Sequence, residues 1–154
     1  MTEPRYLAEA DCWLISGLTD AGAFFGAVIQ LLPEATHVFL EGSPDADIVA
    51  LLSKHAADVQ YGAPIGTLWS WPRGNHRFAI RSSTALFDEL SAAAAHHAEP
   101  EICSHLHFYR NTEPVAQWFD AFSDPMLVSK SIPRRRVEQF ARTAGGAFTD
   151  TLPD

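Results

Sequence analysis

Short apolar runs of two kinds alternate along this chain, and a glycine or proline closes several of them. Runs rich in Val, Ile, Phe, Trp and His read as strands, and longer runs with apolar residues three and four apart read as helices. The pattern predicts strands at residues 13–16, 37–40, 65–71, 78–81, 102–109 and 126–129, with helices at 21–32, 44–55, 84–97, 115–122 and 133–144. Thr19 or Asp20 supplies the first N-cap and Pro33 the stop; Ser82 or Ser83 caps the helix at 84–97, and Gly145 with Gly146 ends the last. Residues 149–154 read as a loose tail. Such alternation places the chain in the α/β class, as a single domain over residues 1–154 with helices packed on a mixed sheet or sheets.

The two halves echo each other. Strand, helix, strand, turn and proline-led helix occur in residues 12–72 and again in 77–133, and each half closes on a nine-residue stretch between prolines, Pro64 to Pro72 and Pro125 to Pro133. The expectation is an internal βαβαβ duplication; an ordinary α/β domain whose halves share a period is the alternative.

With 154 residues and 47% apolar content, the chain can bury a core without a disulfide or metal staple. Residues 21–32 are interrupted by Gly22, Gly26 and Gln30 and fall short of the roughly 20 residues that span a bilayer, so no membrane spanning is expected. Two distant cysteines, Cys12 and Cys103, and the lack of a basic stretch before an apolar one point to a reduced, cytoplasmic setting. A net charge of −8 argues against nucleic acid as partner.

The charge is unevenly divided. Residues 1–72 carry nine acidic and two basic side chains, whereas 73–154 carry ten and nine. An acidic half with Glu34, Glu41, Asp45, Asp47 and Asp58 suits a basic protein partner, with solubility as the plainer reading. Trp69, Trp71 and Trp118 are the candidate apolar anchors of such a contact. Arg134-Arg135-Arg136 opens the last helix, where the dipole disfavours cations, so helix stability does not explain it; it reads as a contact or a solvated face.

Catalytic chemistry finds little to work with. Cys103, His105 and His107 alternate on one strand, but ligands two residues apart sit about 6 to 7 Å from each other, too far for one undistorted metal site. There is no Gly-x-Ser-x-Gly elbow and no glycine-rich phosphate loop. No catalytic residue, metal or cofactor is assigned. Arg81, Arg110 and Glu113 at strand ends could orient a small polar ligand, the alternative being that they cap helices or pair with one another.

Three groups of segments resemble, in order, a family of bacterial type VI secretion effector chaperones, or adaptors. They are Trp13-Leu14-Ile15-Ser16-Gly17 with Leu31-Leu32-Pro33-Glu34-Ala35 and Phe39-Leu40-Glu41-Gly42-Ser43-Pro44-Asp45-Ala46; then Ala79 to Leu90; then His107-Phe108-Tyr109-Arg110 with Val115, Pro133, Arg136 and Phe140. Where that family has an aromatic-Tyr-Asp-Pro run, this chain has Tyr109-Arg110-Asn111-Thr112-Glu113-Pro114. The resemblance implies protein binding without catalysis: holding an effector's amino-terminal segment and delivering it to the spike protein. The alternatives are an immunity protein that blocks a basic toxin, and a small-ligand or enzymatic domain using Arg81 and Arg110.

Overall fold

The computed structural model describes residues 7, 11–42, 44–55, 76–97 and 102–150. In chain order the elements are β1 (Cys12–Ser16), α1 (Ala21–Leu31), β2 (His37–Gly42), α2 (Ala46–His55), β3 (His76–Arg81), α3 (Thr84–Ala93, continued by a 3-10 turn over Ala94–His96), β4 (His105–Arg110), β5 (Glu113–Trp118), β6 (Met126–Ser129), α4 (Arg134–Ala144) and β7 (Ala147–Thr149). The α/β class is as the sequence predicts. The expected strand at 65–71, with Trp69 and Trp71, and Asp58 lie outside the described residues.

The strands form one sheet in the order β3-β2-β4-β5-β6-β1-β7. Every neighbouring pair is antiparallel, so the sheet is not mixed. The alternation of strands and helices suggested parallel neighbours because a helical crossover returns the chain in its original direction. Here three crossovers do so but skip at least one position: one antiparallel strand fills the gap between β3 and β4 and between β6 and β7, and three strands of alternating direction fill that between β1 and β2. β3 and β4 flank β2, β6 and β7 flank β1, and three strands separate β1 from β2.

The expected βαβαβ duplication fails on two counts. One strand separates β3 from β4 where three separate β1 from β2, and the expected helix at 115–122 is strand β5 and the loop after it. A tight turn at Asn111, in the left-handed region at φ 54°, folds β5 directly back on β4 and removes the room for a crossover. The register slips beside Val115, and this bulge lets Val115 and Ala116 both join the core, which mimics helical spacing in the sequence. Pro114 is tolerated because β6 pairs only with Ala116 and Gln117, so no ladder bond is lost on that side.

Helices and sheet share one apolar cluster that includes Ile15, Val38, Leu40, Ile80, Leu106, Phe108, Trp118 and Val128 from the strands. Alternation turns Phe39, Glu41, His107 and Gln117 to the other face. In the helical layer α1 packs against both α3 and α4. Asp20 Oδ1 accepts from Ala23 N at 3.0 Å and starts α1, while Ser83 Oγ accepts from Leu86 N at 3.1 Å and starts α3, as their residue types predict. Gly145, at φ 82°, ends α4. Phe24 sits at the centre of the core, with ring contacts to Phe25, Trp118, Phe122 and Phe140.

Trp118 fills this centre and donates its indole N–H to Asp124 O at 2.6 Å. Trp118→Ala should lower the unfolding free energy by roughly 3–5 kcal/mol in urea titration, the cost of a large buried aromatic, with the Asp124 carbonyl left unpaired as well.

Candidate functional site

The face of the sheet turned away from the helices carries an aromatic and polar row. β4 contributes His105, His107 and Tyr109, β2 contributes His37, Phe39 and Glu41, and β5 contributes Gln117. His107 Nδ1 accepts from Trp118 N at 3.3 Å and His105 Nδ1 from Asp120 N at 3.1 Å. In the neutral rings these bonds put the proton on Nε2. The rings lie parallel, 7° apart in plane and 6.3 Å between centroids, with Phe119 against both. Two imidazole nitrogens on one zinc lie at most about 4.2 Å apart, so stacked rings at this spacing cannot share an ion without moving. Cys103 precedes β4 and belongs to the helix-side core, where burial pushes its thiol up to about 12. It therefore does not join the histidines on one face, as strand alternation alone suggests.

His107 is fully buried, and burial, reinforced by His105, lowers its pKa to about 3. Its Nε2 has no hydrogen-bond partner among the described residues. Leu7 N donates to Gln117 Oε1 at 2.7 Å and brings main chain onto this face. Glu41 lies opposite His105 in register and is 2% exposed, which removes it from the acidic surface. Trp118, at 0% exposure, is a core residue and not a contact anchor.

Asp45 and Asp47 remain at the surface but are not free charges. His97 Nδ1 meets Asp45 Oδ2 at 3.1 Å and its Nε2 meets Asp47 Oδ2 at 2.6 Å. The hydrogen bond from His97 holds the Asp47 carboxyl below its usual range. Among the described residues this is the one group of three His, Cys, Asp or Glu side chains whose donor atoms lie within 4.8 Å of one another. The carboxylates occupy both ring nitrogens, whose lone pairs diverge, so an ion bound at one nitrogen turns away from the carboxylate at the other. With one carboxylate at each nitrogen, His97 ties the start of α2 to the end of α3. At the other end of α2, Glu89 of α3 takes Lys54 at 2.6 Å and also His55.

Arg81, Arg110 and Glu113 do not converge. Arg81 pairs with His37 and His37 with Tyr109, which places those three on one face and Arg110 on the other, in register with Glu113 across the β4–β5 turn. Burial first, and Arg81 second, lower the pKa of His37.

The arginines of α4 divide by role. Arg134 Nε donates to Glu138 Oε1 at 2.6 Å, and its guanidinium lies 5.1 Å from the Phe148 ring centroid. Arg136 Nη1 reaches Glu34 Oε1 at 2.8 Å, Oε2 at 2.9 Å and Leu31 O at 3.3 Å, so it closes the carboxyl end of α1. Arg135 and Arg142 are exposed and have no ion-pair partner among the described residues. Beside them a groove of about 140 Å³ runs between α1 and α4, with Ala27, Leu31 and Phe140 beneath and Gln30, Arg136, Gln139 and Thr143 along its sides. A shallower cleft of about 320 Å³ lies at Cys103, Ser104, Asp120, Ala121 and Ser123.

Comparison with protein-family models, curated proteins and solved structures finds no match to this chain. The sequence singled out Arg135 but missed the groove and the row that Gln139 and Arg142 form with it, although their spacing of four and three residues marks one face of a helix.

His107 makes stability depend on pH with a defined sign. The unfolded chain binds a proton at this residue below about 6.5 and the folded chain only near 3, so the contribution is present above 6.5 and is lost as pH falls toward 3. The loss should be up to about 1.4 kcal/mol per pH unit. His107→Gln keeps an acceptor for Trp118 N and should flatten this slope; urea midpoints for both proteins at several pH values between neutrality and 4 will show whether their difference narrows as predicted.

Proposed function

We propose that this chain is a non-catalytic protein-binding adaptor that holds an effector's amino-terminal segment and carries it to the spike of a type VI secretion apparatus, as the resemblance implies. The observation that carries the protein-binding part is Arg135. It sits in the first turn of α4, where a cation typically costs 0.3–1 kcal/mol, and neither an acidic partner nor an aromatic ring offsets that cost among the described residues. Its two neighbours have structural duties; a contact with another molecule supplies a duty for the third.

The remaining reactive side chains support the same reading. The Cys103 thiol is buried and its pKa raised, His105 and His107 accept main-chain N–H groups, and His97 is clamped by two carboxylates. These groups hold the fold together. The immunity-protein reading relied on an open acidic face, but Glu41 is buried, Glu34 is engaged by Arg136, and Asp45 and Asp47 by His97. The ligand-binding reading relied on Arg81 and Arg110, which point to opposite faces.

Co-expression with an effector's amino-terminal segment and with the spike protein of the same secretion system tests the proposal. Both should co-elute with the chain on size exclusion, and the effector segment should lose solubility without it. Separate elution of all three would remove the adaptor reading.

A further inference from the structure

Building on the protein-binding reading, we infer that the groove between α1 and α4 receives an acidic segment of the partner, with one apolar side chain seated over Leu31 and Phe140 and carboxylates placed on Arg135 and Arg142. The floor is apolar and the walls are uncharged except for Arg136, which Glu34 already holds. A segment entering the groove therefore finds room for one aliphatic side chain and side-chain amides at Gln30 and Gln139; outside the groove, Arg135 and Arg142 flank Gln139 along the exposed face of α4 and have no ion-pair partner among the described residues.

The spacing of those cations selects the occupant further. Arg135 and Arg142 are seven residues apart on one helix, about 10.5 Å along its axis. Carboxylates two turns apart on one face of a docked helix match that span, whereas same-face residues of an extended segment, about 6.8 or 13.6 Å apart, do not. Guanidinium groups recognise carboxylates with two parallel hydrogen bonds, which favours Asp or Glu over other polar residues. The chain's overall charge of −8 does not forbid an acidic ligand. At physiological ionic strength fields decay over about 8 Å, and the acidic start of α2 packs beside α3 and β3, whereas α4 packs on α1, β1 and β7.

The probes are two fluorescein-labelled amphipathic peptides about four turns long, with leucine at i, i+3, i+4 and i+7 and every other position Glu in one and Lys in the other. Fluorescence anisotropy with the full chain should show saturable binding of the Glu peptide and none of the Lys peptide. The charge reversal Arg135→Glu with Arg142→Glu should weaken binding at least roughly tenfold, and about 0.5 M salt should do the same to the unaltered protein. Thr143→Trp, at the groove's exposed wall, should weaken binding without touching either arginine. Both variants change exposed positions, and their thermal melts will show that they fold. Equal binding of the two peptides, no binding of either, or binding unaffected by the charge reversal would overturn the assignment. An effector segment that co-elutes undiminished with the charge-reversed chain would also overturn it, while leaving the adaptor proposal standing. Glu-peptide binding with these dependences, but no co-elution with effector or spike, would support the groove and remove the adaptor proposal.

Discussion

Phe24 ties the molecule's layers to one another. Its ring contacts reach along its own helix to Phe25, down to the sheet at Trp118, into the β5–β6 loop at Phe122 and across to α4 at Phe140. Each pair adds roughly 0.5–1.5 kcal/mol to the burial of large apolar surface, so α1 is fixed over the sheet more firmly than helix propensity alone would allow. On its other flank α1 presents Gly22 and Gly26 to α3, and Ser91 Oγ donates to Gly22 O at 2.8 Å, so small residues allow the close approach. The position of α4 against α1 in turn creates the groove.

Much of this was legible in the sequence where local chemistry decides structure. Asp20 and Ser83 as caps, Gly145 as a helix end, and Val137, Phe140 and Ala141 as the buried side of α4 follow from residue type and helical period. The order of strands was not legible, because side-chain alternation says which face a residue takes but not which strand lies beside it. The misread helix at 115–122 shows the limit of periodicity: a single bulge at Val115 shifts a strand's pattern enough to resemble a helical one. Gly42 shows another long-range requirement. A Cβ there would stand 2.7 Å from Ser104 N, a proximity created only when β2 meets the segment leading into β4.

The candidate site was legible in part and for similar reasons. Runs such as Arg134-Arg135-Arg136 announce charge but not which members find partners, since Glu34 is far away in sequence and reaches Arg136 only through the packing of α1 on α4. Glu41 illustrates the reverse. Counted as surface charge from composition, it is carried inward by the alternation of β2, between Phe39 and the turn into α2. A count of acidic residues therefore overstates the negative field that a partner would meet.

Two strands are each held in a slot whose walls come from elsewhere in the chain: β2 between β3 and β4, and β1 between β6 and β7. The second slot is the more demanding, since Leu14 and Ile15 pair with Leu127 and Met126 on one side and with Thr149 and Phe148 on the other. During synthesis β1 therefore precedes the other six strands of the sheet and waits for residues 126–129 and 147–149 before its neighbours exist. Its hydrogen-bonding edges are exposed in the meantime, and closing so long a loop makes folding slow relative to a chain of local contacts. Of the interior strands of this sheet, β1 has the longest sequence distance to its nearest pairing partner.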